Sequence, residues 1–233
     1  MKTFVPHFEV LLEDQKNLWH ELSPCKELGF VLYGGTAIAL QLGHRFSIDF
    51  DFFSHLPLDE AKENELLESL PFLKESSAIQ VAPNTRSYLT QNDVKLSFMG
   101  GIHLGRIGEP RNTDDGILQV ASLDDLMAIK LATVMQRVEI KDYRDIAAMM
   151  QNGMSLEKGL SGAIALYGKQ FAPSESLRTL TYFQGGNLQS LSTTDKNTLL
   201  QATRNFSSFS LDKLPHVKRL SEELTHMSQQ PRK

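Results

Sequence analysis

The chain has 233 residues, of which 41% are hydrophobic, so it can form one large domain or two small ones with a real core. A formal net charge of −4 and a sequence pI of about 6.0 exclude a global basic field, so any nucleic-acid contact must use a local patch. The single cysteine, Cys25, excludes an internal disulfide and a cysteine-rich zinc site.

The first residues do not have the pattern of a targeting segment. Residues 1–15 carry Glu9, Glu13 and Asp14 and lack a continuous apolar core, so we expect no signal peptide. No run approaches the ~20 apolar residues of a membrane span. The simplest interpretation is a cytoplasmic protein without a membrane partner.

An amphipathic helix is predicted over residues 6–22, and a buried strand follows it. Apolar side chains recur at helical spacing in this segment, and Trp19 belongs to the same packing stripe. The next apolar run, from Phe30 to Tyr33, stops at Gly34 and Gly35, as expected for a strand that ends in a turn.

A short helix is predicted directly after this turn. Residues 36–42 are mostly good helix formers, and Gly43 stands where a left-handed C-terminal cap is wanted. Gly34 and Gly35 let a ligand approach the backbone closely, and the helix N-terminus near Thr36 offers free N–H groups to an anion. We therefore predict a phosphate-binding turn.

Strict alternation from Ile48 to Phe52 predicts a strand with Asp49 and Asp51 on one face and Ile48, Phe50 and Phe52 on the other. The two aspartate Cα atoms should lie roughly 6.6 Å apart, which lets both carboxylates reach one metal site. The alternative is a solvated face of an edge strand. The adjoining glycine turn favours the metal, because a nucleoside triphosphate needs a phosphate site beside a metal site.

The run G-G-T-A-I-A-L-Q-L-G-H-R-F-S-I-D-F-D-F-F, from Gly34 to Phe53, resembles the first motif of the AbiEii/AbiGii toxin family, within the nucleotidyltransferase superfamily. The superfamily pattern is a glycine turn, a helix and D-x-D on a strand, and the G-H-R-x-S-x-D-x-D version is specific to the family. The resemblance implies that Gly34, Gly35 and Ser47 cradle phosphates while Arg45 balances their charge.

The next segments predict an acidic helix over residues 59–70, short strands at 79–81 and 87–90, and a strand over 93–99. Alternation in the last of these places three apolar side chains on one face and Lys95 and Ser97 on the other. Many nucleotidyltransferases, which this chain resembles, carry a third carboxylate at the position that matches Ser97. A serine can instead hydrogen-bond a phosphate or a metal-bound water.

Ser122 is predicted to cap a helix that is apolar around most of its circumference and is therefore largely buried. Lys130 is the exception in this helix, because a buried lysine needs an anion or a route to water. Two interpretations stay open. Its ammonium reaches solvent at the end of a buried stem, or it contacts a phosphate of a bound nucleotide.

Residues 137–145 contain no glycine or proline, so the sequence does not place a helix break there, although a short connector is plausible. A continuous helix would put Lys130, Arg137, Lys141 and Arg144 on one narrow basic stripe. The alternative is a set of ordinary surface ion pairs, among them Lys141 with Asp145.

A second run, K-L-A-T-V-M-Q-R-V-E-I-K-D-Y-R-D-I, resembles the family's later motifs, which are a helical lysine, an arginine and K-D-x-x-D. The resemblance implies that Lys130 holds a nucleotide phosphate, with Arg137 beside it. It also implies that an acidic catalytic function falls on Asp142 or Asp145, and the spacing alone does not choose between them.

The remainder predicts helices over residues 156–171, 174–183, 195–206 and 214–227. We expect an α/β (α+β) nucleotidyltransferase-like fold in which helices flank a small mixed β-sheet. The predicted division is a catalytic domain at residues 1–152 and a helical C-terminal region at 153–233.

The resemblance implies metal-dependent transfer of a nucleotidyl group from a nucleoside triphosphate to an acceptor hydroxyl, with Asp49 and Asp51 holding Mg²⁺ or Mn²⁺. It further implies that the acceptor is tRNA and that the protein is the toxin of a toxin–antitoxin or abortive-infection system with a cognate antitoxin. Two alternatives stay open, a small-molecule acceptor or a nucleotide-binding module without turnover, the latter motivated by Ser97. The sequence predicts no oligomeric state.

Overall fold

The structure, a computed structural model, describes residues 2–206, 211 and 214–222 of the chain. One mixed β-sheet organises these residues, and helices pack against it and against one another. This arrangement confirms the α/β class predicted from the sequence. In the part of the chain that the structure describes, no helix is both long enough and apolar enough to cross a membrane.

The sheet has eight strands within the described residues, in the spatial order β1-β7-β8-β2-β3-β6-β5-β4. The pairs β1–β7, β2–β8 and β3–β6 are parallel, and the remaining neighbours are antiparallel. The strands are β1 Thr3–Phe4, β2 Val31–Tyr33, β3 Asp49–Phe53, β4 Ser77–Ala82, β5 Thr85–Leu89, β6 Lys95–Met99, β7 Arg111–Thr113 and β8 Gln119–Val120.

Helices lie between the strands as far as β4, strands β4 to β8 follow one another, and the remaining helices come after them. The helices are α1 Glu13–Leu18, α2 Pro24–Glu27, α3 Gly34–Leu42, α4 Glu60–Ser69, α5 Leu123–Thr133, α6 Ile140–Gln151, α7 Leu156–Tyr167, α8 Pro173–Leu180 and α9 Thr193–Asn205. Short 3₁₀ turns lie at Phe8–Val10, Trp19–Leu22, Pro71–Glu75, Gly168–Gln170 and Leu188–Ser190.

Strand β3 carries alternate side chains into the core, as predicted. Phe50 and Phe52 are fully buried, and the Phe52 ring stacks on Phe98 of β6 with centroids 5.2 Å apart. The prediction for Ile48 is wrong, because this residue precedes the strand and its side chain is 58% exposed. The aromatic side of β3 therefore fixes the strand, and the opposite side is left for Asp49 and Asp51.

Helix α3 follows β2 without an intervening loop. Its predicted C-terminal cap is confirmed, since Gly43 adopts a left-handed conformation with φ 66° and its N–H donates to the Ala39 carbonyl oxygen at 2.7 Å. The helix begins at Gly34, two residues before the predicted start at Thr36. Both glycines of the turn thus belong to the first turn of the helix.

The predicted continuous helix over residues 6–22 is wrong, because the chain forms a 3₁₀ turn, α1 and a second 3₁₀ turn there. The Val10 carbonyl oxygen accepts the Ser47 N–H at 3.1 Å, so it takes part in a long-range contact with the loop before β3. Leu12 is extended, with φ −70° and ψ 160°, which interrupts the helix. Trp19 is buried in the core, as predicted.

The C-terminal third is helical through α9, and α7 and α8 are shorter than predicted, whereas α9 begins two residues earlier than predicted and ends one residue earlier. The prediction of a helix over 214–227 is wrong for residues 214–222, where the chain is irregular and Val217 forms an isolated bridge with Arg106. Residues 223–227 of that prediction lie outside the described residues. Strands β1 and β7 have no counterpart in the sequence predictions.

Candidate active site

The glycine turn lies directly against Asp51 and Arg45. Tyr33, the last residue of β2, pairs with Asp51 of β3, so the next residue, Gly34, faces the Asp51 side chain. A methyl group on Gly34 would lie 2.5 Å from Oδ2 of Asp51, and one on Gly35 would overlap the Arg45 guanidinium. Only glycine at both positions permits this approach between the helix N-terminus, an acid and an arginine.

Asp49 and Asp51 line one cavity without protein partners. Among the described residues, neither carboxylate accepts a hydrogen bond or forms an ion pair. Parallel pairing with β6 sets Asp49 opposite Lys95 and Asp51 opposite Ser97. Two acids are therefore held on a rigid strand and remain available to a ligand.

The pKa of Asp51 is raised above its ordinary value, first by burial and then by the negative charge of Asp49. The charges of Lys95, Lys130 and Lys141 oppose this rise. Asp51 thus carries an unfavourable charge that a bound cation would stabilise. The cavity beside Asp51 therefore contains positive and negative groups that are close enough to act on one another.

Lys130 of α5 lies in the wall of the cavity and is held by two acids of α6. Its Nζ lies 2.6 Å from Oδ1 of Asp142 and 2.7 Å from Oδ2 of Asp145, and the residue is buried. The first interpretation, an ammonium that simply reaches solvent, does not describe this arrangement. Lys130 is fixed between carboxylates with its ammonium at the cavity surface.

Asp145 collects three cationic or polar groups. Arg45 donates to it from Nε at 2.6 Å and from Nη2 at 2.9 Å, and Nε2 of His44 lies 2.8 Å from Oδ1. Burial alone would raise the pKa of this carboxyl, but His44, Arg45 and Lys130 together hold the pKa well below its usual range. Asp145 is fully buried and therefore does not contact the cavity directly.

Asp142 has the same role for Arg137. The guanidinium donates to it from Nε at 2.8 Å and from Nη2 at 3.1 Å. Burial would raise the pKa of Asp142, but the bonds and charges of Arg137 and Lys130 lower it below its ordinary value. Asp142 is also fully buried, so both acids stand behind the cationic wall instead of in the cavity.

The segment between α5 and α6 is a connector. Glu139 is extended, with φ −132° and ψ 129°, so helical hydrogen bonding does not run through it, and the continuous basic stripe does not exist. The predicted pair of Lys141 with Asp145 is also wrong, since Lys141 pairs with Glu139 at 3.1 Å. The connector nevertheless brings Lys130, Arg137 and Lys141 to the same cavity.

This cavity has a volume of about 410 Å³. Its wall combines the glycine turn, the loop before β3, the two acids and five cationic side chains. The lining residues are Gly34, Gly35, Arg45, Phe46, Ser47, Ile48, Asp49, Asp51, Lys95, Lys130, Arg137 and Lys141. The structure therefore brings together most of the predicted site from segments about 100 residues apart, as the separation of Arg45 and Asp145 illustrates.

Two predicted phosphate ligands do not line the cavity. Thr36 is buried, and its hydroxyl contacts the Asp49 carbonyl oxygen and shares a 2.7 Å hydrogen bond with Ser47, which ties α3 to β3. Ser97 is buried as well, and its hydroxyl accepts a hydrogen bond from Ser87 at 3.2 Å. Both hydroxyls are occupied by neighbouring groups and are not accessible to a ligand. They hold adjacent elements together behind the site.

Lys95 is a cavity residue that the sequence argument did not select. It has no acidic partner at ion-pair distance in the described part of the chain, and its charge acts on Asp51. The alternation of β6 already placed Lys95 on the polar face. Only the parallel register of β3 and β6 shows that this face is the one that carries Asp49.

The donor set fits a hard divalent cation that is shared with a ligand. No group of three or more His, Cys, Asp or Glu side chains suited to a metal occurs among the described residues, so an all-protein cage is absent there. Mg²⁺ commonly uses one or two carboxylates together with water and substrate phosphates. Asp49 and Asp51, both free of protein partners and one with a raised pKa, match this requirement.

The chain matches a family model described as the nucleotidyl transferase AbiEii toxin of a type IV toxin–antitoxin system over residues 25–218. It is 28% identical over 158 residues to an uncharacterized protein of Aquifex aeolicus (strain VF5), covering 66% of this chain and 74% of that protein. An antigenic nucleotidyltransferase-like protein from Paracoccidioides brasiliensis superposes with a TM-score of 0.46 at 17% identity, covering 85% of this chain and 94% of the other.

Proposed function

Because the chain belongs to the AbiEii nucleotidyl transferase toxin family, we propose that its cavity binds a nucleoside triphosphate and a divalent metal ion together. The observation that carries this proposal is the division of charge within one cavity. Among the described residues, Asp49 and Asp51 have no protein partners, whereas four of the five cations around them are anchored by acids outside the cavity, namely Arg45, Lys130, Arg137 and Lys141. In a metal–triphosphate complex, the metal ion would meet the two aspartates and the phosphates would meet the cations.

We assign the ligand roles by position in the cavity. Asp49 and Asp51 would hold Mg²⁺ or Mn²⁺, which neutralises phosphate charge and lowers the pKa of a bound hydroxyl. Gly34, Gly35 and Ser47 would contact phosphate oxygens at the N-terminus of α3, where the helix dipole favours an anion.

The cations Arg45, Lys130 and Arg137, which line the same cavity, would balance the triphosphate charge. In the proposed reaction, the acceptor hydroxyl loses its proton to solvent, its oxygen bonds to the α-phosphorus, the bond from that phosphorus to the oxygen that bridges to the β-phosphate breaks, and pyrophosphate leaves. These fixed cations would stabilise the charge that develops on the phosphates, and because acids already orient them they need little reorganisation.

Asp142 and Asp145 act as positioning residues in this proposal. Both were candidates for a direct catalytic function, but each is fully buried and occupied by cations. A direct role would require these ion pairs to break, and breaking a buried pair costs about 3–5 kcal/mol. Their contribution is to aim Arg45, Lys130 and Arg137 into the cavity.

The acceptor we propose is tRNA, and the cellular role is that of a cytoplasmic toxin with a cognate antitoxin. The family description, a toxin of a type IV toxin–antitoxin system, supports the last part. We further propose that residues 1–152 form the catalytic unit and that residues 153–233 help to seat the acceptor. A small-molecule acceptor remains the competing possibility for the same chemistry.

The test is transfer of label from each of the four α-labelled nucleoside triphosphates to total tRNA, with Mg²⁺ or Mn²⁺. We expect one or more triphosphates to label RNA, and Asp49→Asn and Asp51→Asn to reduce the rate on the order of a thousandfold, because each removes a metal ligand. Glu65→Gln, on the exposed face of α4, is the control and should keep the wild-type rate.

Other outcomes separate the alternatives. Triphosphate binding without transfer to any RNA, under both metals, would favour a binding module, for which the absence of an acid at Ser97 is the specific observation. Transfer to a small hydroxyl compound but not to RNA would favour the small-molecule acceptor. Equal rates in wild type and both aspartate variants would overturn the proposed site.

A further inference from the structure

A second cavity, of about 540 Å³, lies on the other side of Arg137. It is formed by the connector between α5 and α6 and by the end of α8, and Arg137 lines both cavities. Its walls come from residues 134–143, within the second family-like run, and from residues 175–182, to which the sequence assigned no function. Arg137 is therefore the residue that the two cavities share.

The second cavity exposes apolar and aromatic surface beside positive charge. Tyr182 is 59% exposed and Val138 is 43% exposed, although both are large hydrophobic side chains. Tyr143 forms a buried part of the wall, and its hydroxyl already donates to the Thr179 carbonyl oxygen at 3.2 Å. Arg178 and Glu175 add one cation and one acid to the lining. A planar, uncharged ring with a phosphate attached complements this combination.

Arg137 is suited to join two parts of one ligand. Its Nε and Nη2 donate to Asp142, so the guanidinium is fixed, while Nη1 makes no hydrogen bond with the described residues. Its side chain is 47% exposed. The free edge of a fixed guanidinium is a good donor to phosphate. A nucleotide whose phosphate meets this edge would have its base within the second cavity.

We propose that the second cavity binds a nucleobase, with the base stacked on the Tyr182 ring and the phosphate of the same nucleotide on Arg137. This inference rests on the proposed nucleotidyl transfer, since it supplies that reaction with a base-binding site. The base can come from the nucleoside triphosphate or from the terminal nucleotide of the RNA acceptor. The two sources share one chemistry and are separated by experiment.

Tyr182→Ala tests the proposal, because the side chain is exposed and its removal leaves the core intact. Base–aromatic stacking contributes about 1–3 kcal/mol per base. The nucleotide whose base stacks on Tyr182 should therefore bind the variant about five- to a hundredfold more weakly than it binds wild type. Two quantities are measured: the Kd of each triphosphate with Mg²⁺ in the absence of RNA, and the KM for total tRNA at saturating triphosphate. The kcat should change less than either.

An increased triphosphate Kd places the donor base in the cavity, and an unchanged Kd with an increased KM for tRNA places the acceptor base there. Tyr182→Phe keeps the ring and should restore binding, which separates stacking from loss of the hydroxyl. Val81→Ala removes an exposed apolar side chain that lines neither cavity and serves as the control. Thermal unfolding confirms that each variant is folded.

The inference is overturned if Tyr182→Ala leaves both the triphosphate Kd and the KM for tRNA within twofold of wild type. It is also overturned if Tyr182→Phe binds as weakly as Tyr182→Ala. This failure differs from failure of the proposed reaction, in which the wild-type protein transfers no label at all. Even then, the Kd measurement reports on Tyr182, because it needs only binding of the triphosphate.

Discussion

Asp145 anchors two of the cations that line the cavity, Arg45 and Lys130. Its carboxylate is fully buried and accepts from Arg45 while it also contacts Lys130 and His44. An amide at this position would remove the negative charge and leave the cations without compensation in a buried region. The cost of such a change exceeds that of a surface ion pair, because water cannot replace the lost partner.

We expect Asp145→Asn to lower the free energy of unfolding by about 3–5 kcal/mol, as measured by urea denaturation at pH 7. Glu65→Gln is the matched control, since it removes one partner of the exposed Lys62–Glu65 pair and should cost ~1 kcal/mol or less. An equal effect of the two variants would contradict the role given to Asp145.

The stability that Asp145 contributes should depend on pH. Because the folded-state pKa of Asp145 lies below the ordinary aspartate value, its contribution is fully present above about pH 4 and is lost as the pH falls toward the folded-state pKa. The stability difference between wild type and Asp145→Asn should therefore be constant from pH 6 to 8 and shrink in acid.

At the scale of single residues, the sequence identified the two acids of β3 that line the cavity and the buried lysine, but it left Asp142 and Asp145 as alternatives. The structure gives each acid a separate cation, Arg137 for Asp142 and Arg45 for Asp145, and both share Lys130. Spacing within one helix cannot show this, because the choice depends on contacts with residues far away in the chain.

At the scale of elements, the junction of β2 and α3 sets the position of the glycine turn, where we propose that phosphate binds. Gly34 has φ +72°, a conformation that favours glycine, and a methyl group there would also meet the Asp51 carboxylate. Gly153, after α6, has φ +88° as well, but a methyl group there would have no neighbour within 4 Å. The two glycines therefore share backbone strain and differ in steric contact.

Replacing each glycine by alanine separates these two effects. Both Gly34→Ala and Gly153→Ala should lose about 1–2 kcal/mol of stability from the left-handed backbone. Only Gly34→Ala should displace Asp51 and lower the transfer rate, by about a hundredfold for a displacement near 1 Å. Label transfer and urea denaturation on both variants check this. Equal rates in the two variants would show that the close approach is unimportant.

The elements with a strong periodic signal were predicted well, among them α3, β3, β6 and the capped helix α5. The capping bond that begins α5 is present, since the Asp125 N–H donates to the Ser122 hydroxyl at 3.1 Å. Strands β1 and β7 were missed because they have two and three residues and depend on pairing with each other. A strand this short has no periodicity to detect.

At the scale of the whole molecule, Arg106 joins the segment at residues 214–222 to the part of the chain between β6 and β7. Arg106 and Val217 exchange two backbone hydrogen bonds of 2.7 Å, and its Nη1 donates to the carbonyl oxygens of Arg219 and Ser221. Leu220 is buried between them in the chain. The segment at residues 214–222 is thus held by Arg106, by the buried Leu220 and by the Glu222 N–H, which donates to Oε1 of Gln119 at 3.1 Å, and the predicted helix does not form there.

Arg106→Gln should lower the free energy of unfolding by at least about 2 kcal/mol, since a hydrogen bond to a charged group contributes about 1.5–3 kcal/mol. Lys218→Gln is the control, because it changes an exposed cation in the same segment and should stay within about 0.5 kcal/mol of wild type. Urea denaturation measures both. A loss in Arg106→Gln no larger than in the control would contradict the fastening role.

The long separation of the cavity walls bears on how the protein is made. Arg45 and Asp145 are 100 residues apart in the chain, and Lys130 also depends on Asp145. During translation, a nascent polypeptide carries its two aspartates on β3 long before α6 emerges from the ribosome. We therefore expect a chain that terminates before residue 145 to be inert. The complete cavity can form only late in synthesis, when Asp145 has emerged and can contact Arg45, which emerged much earlier.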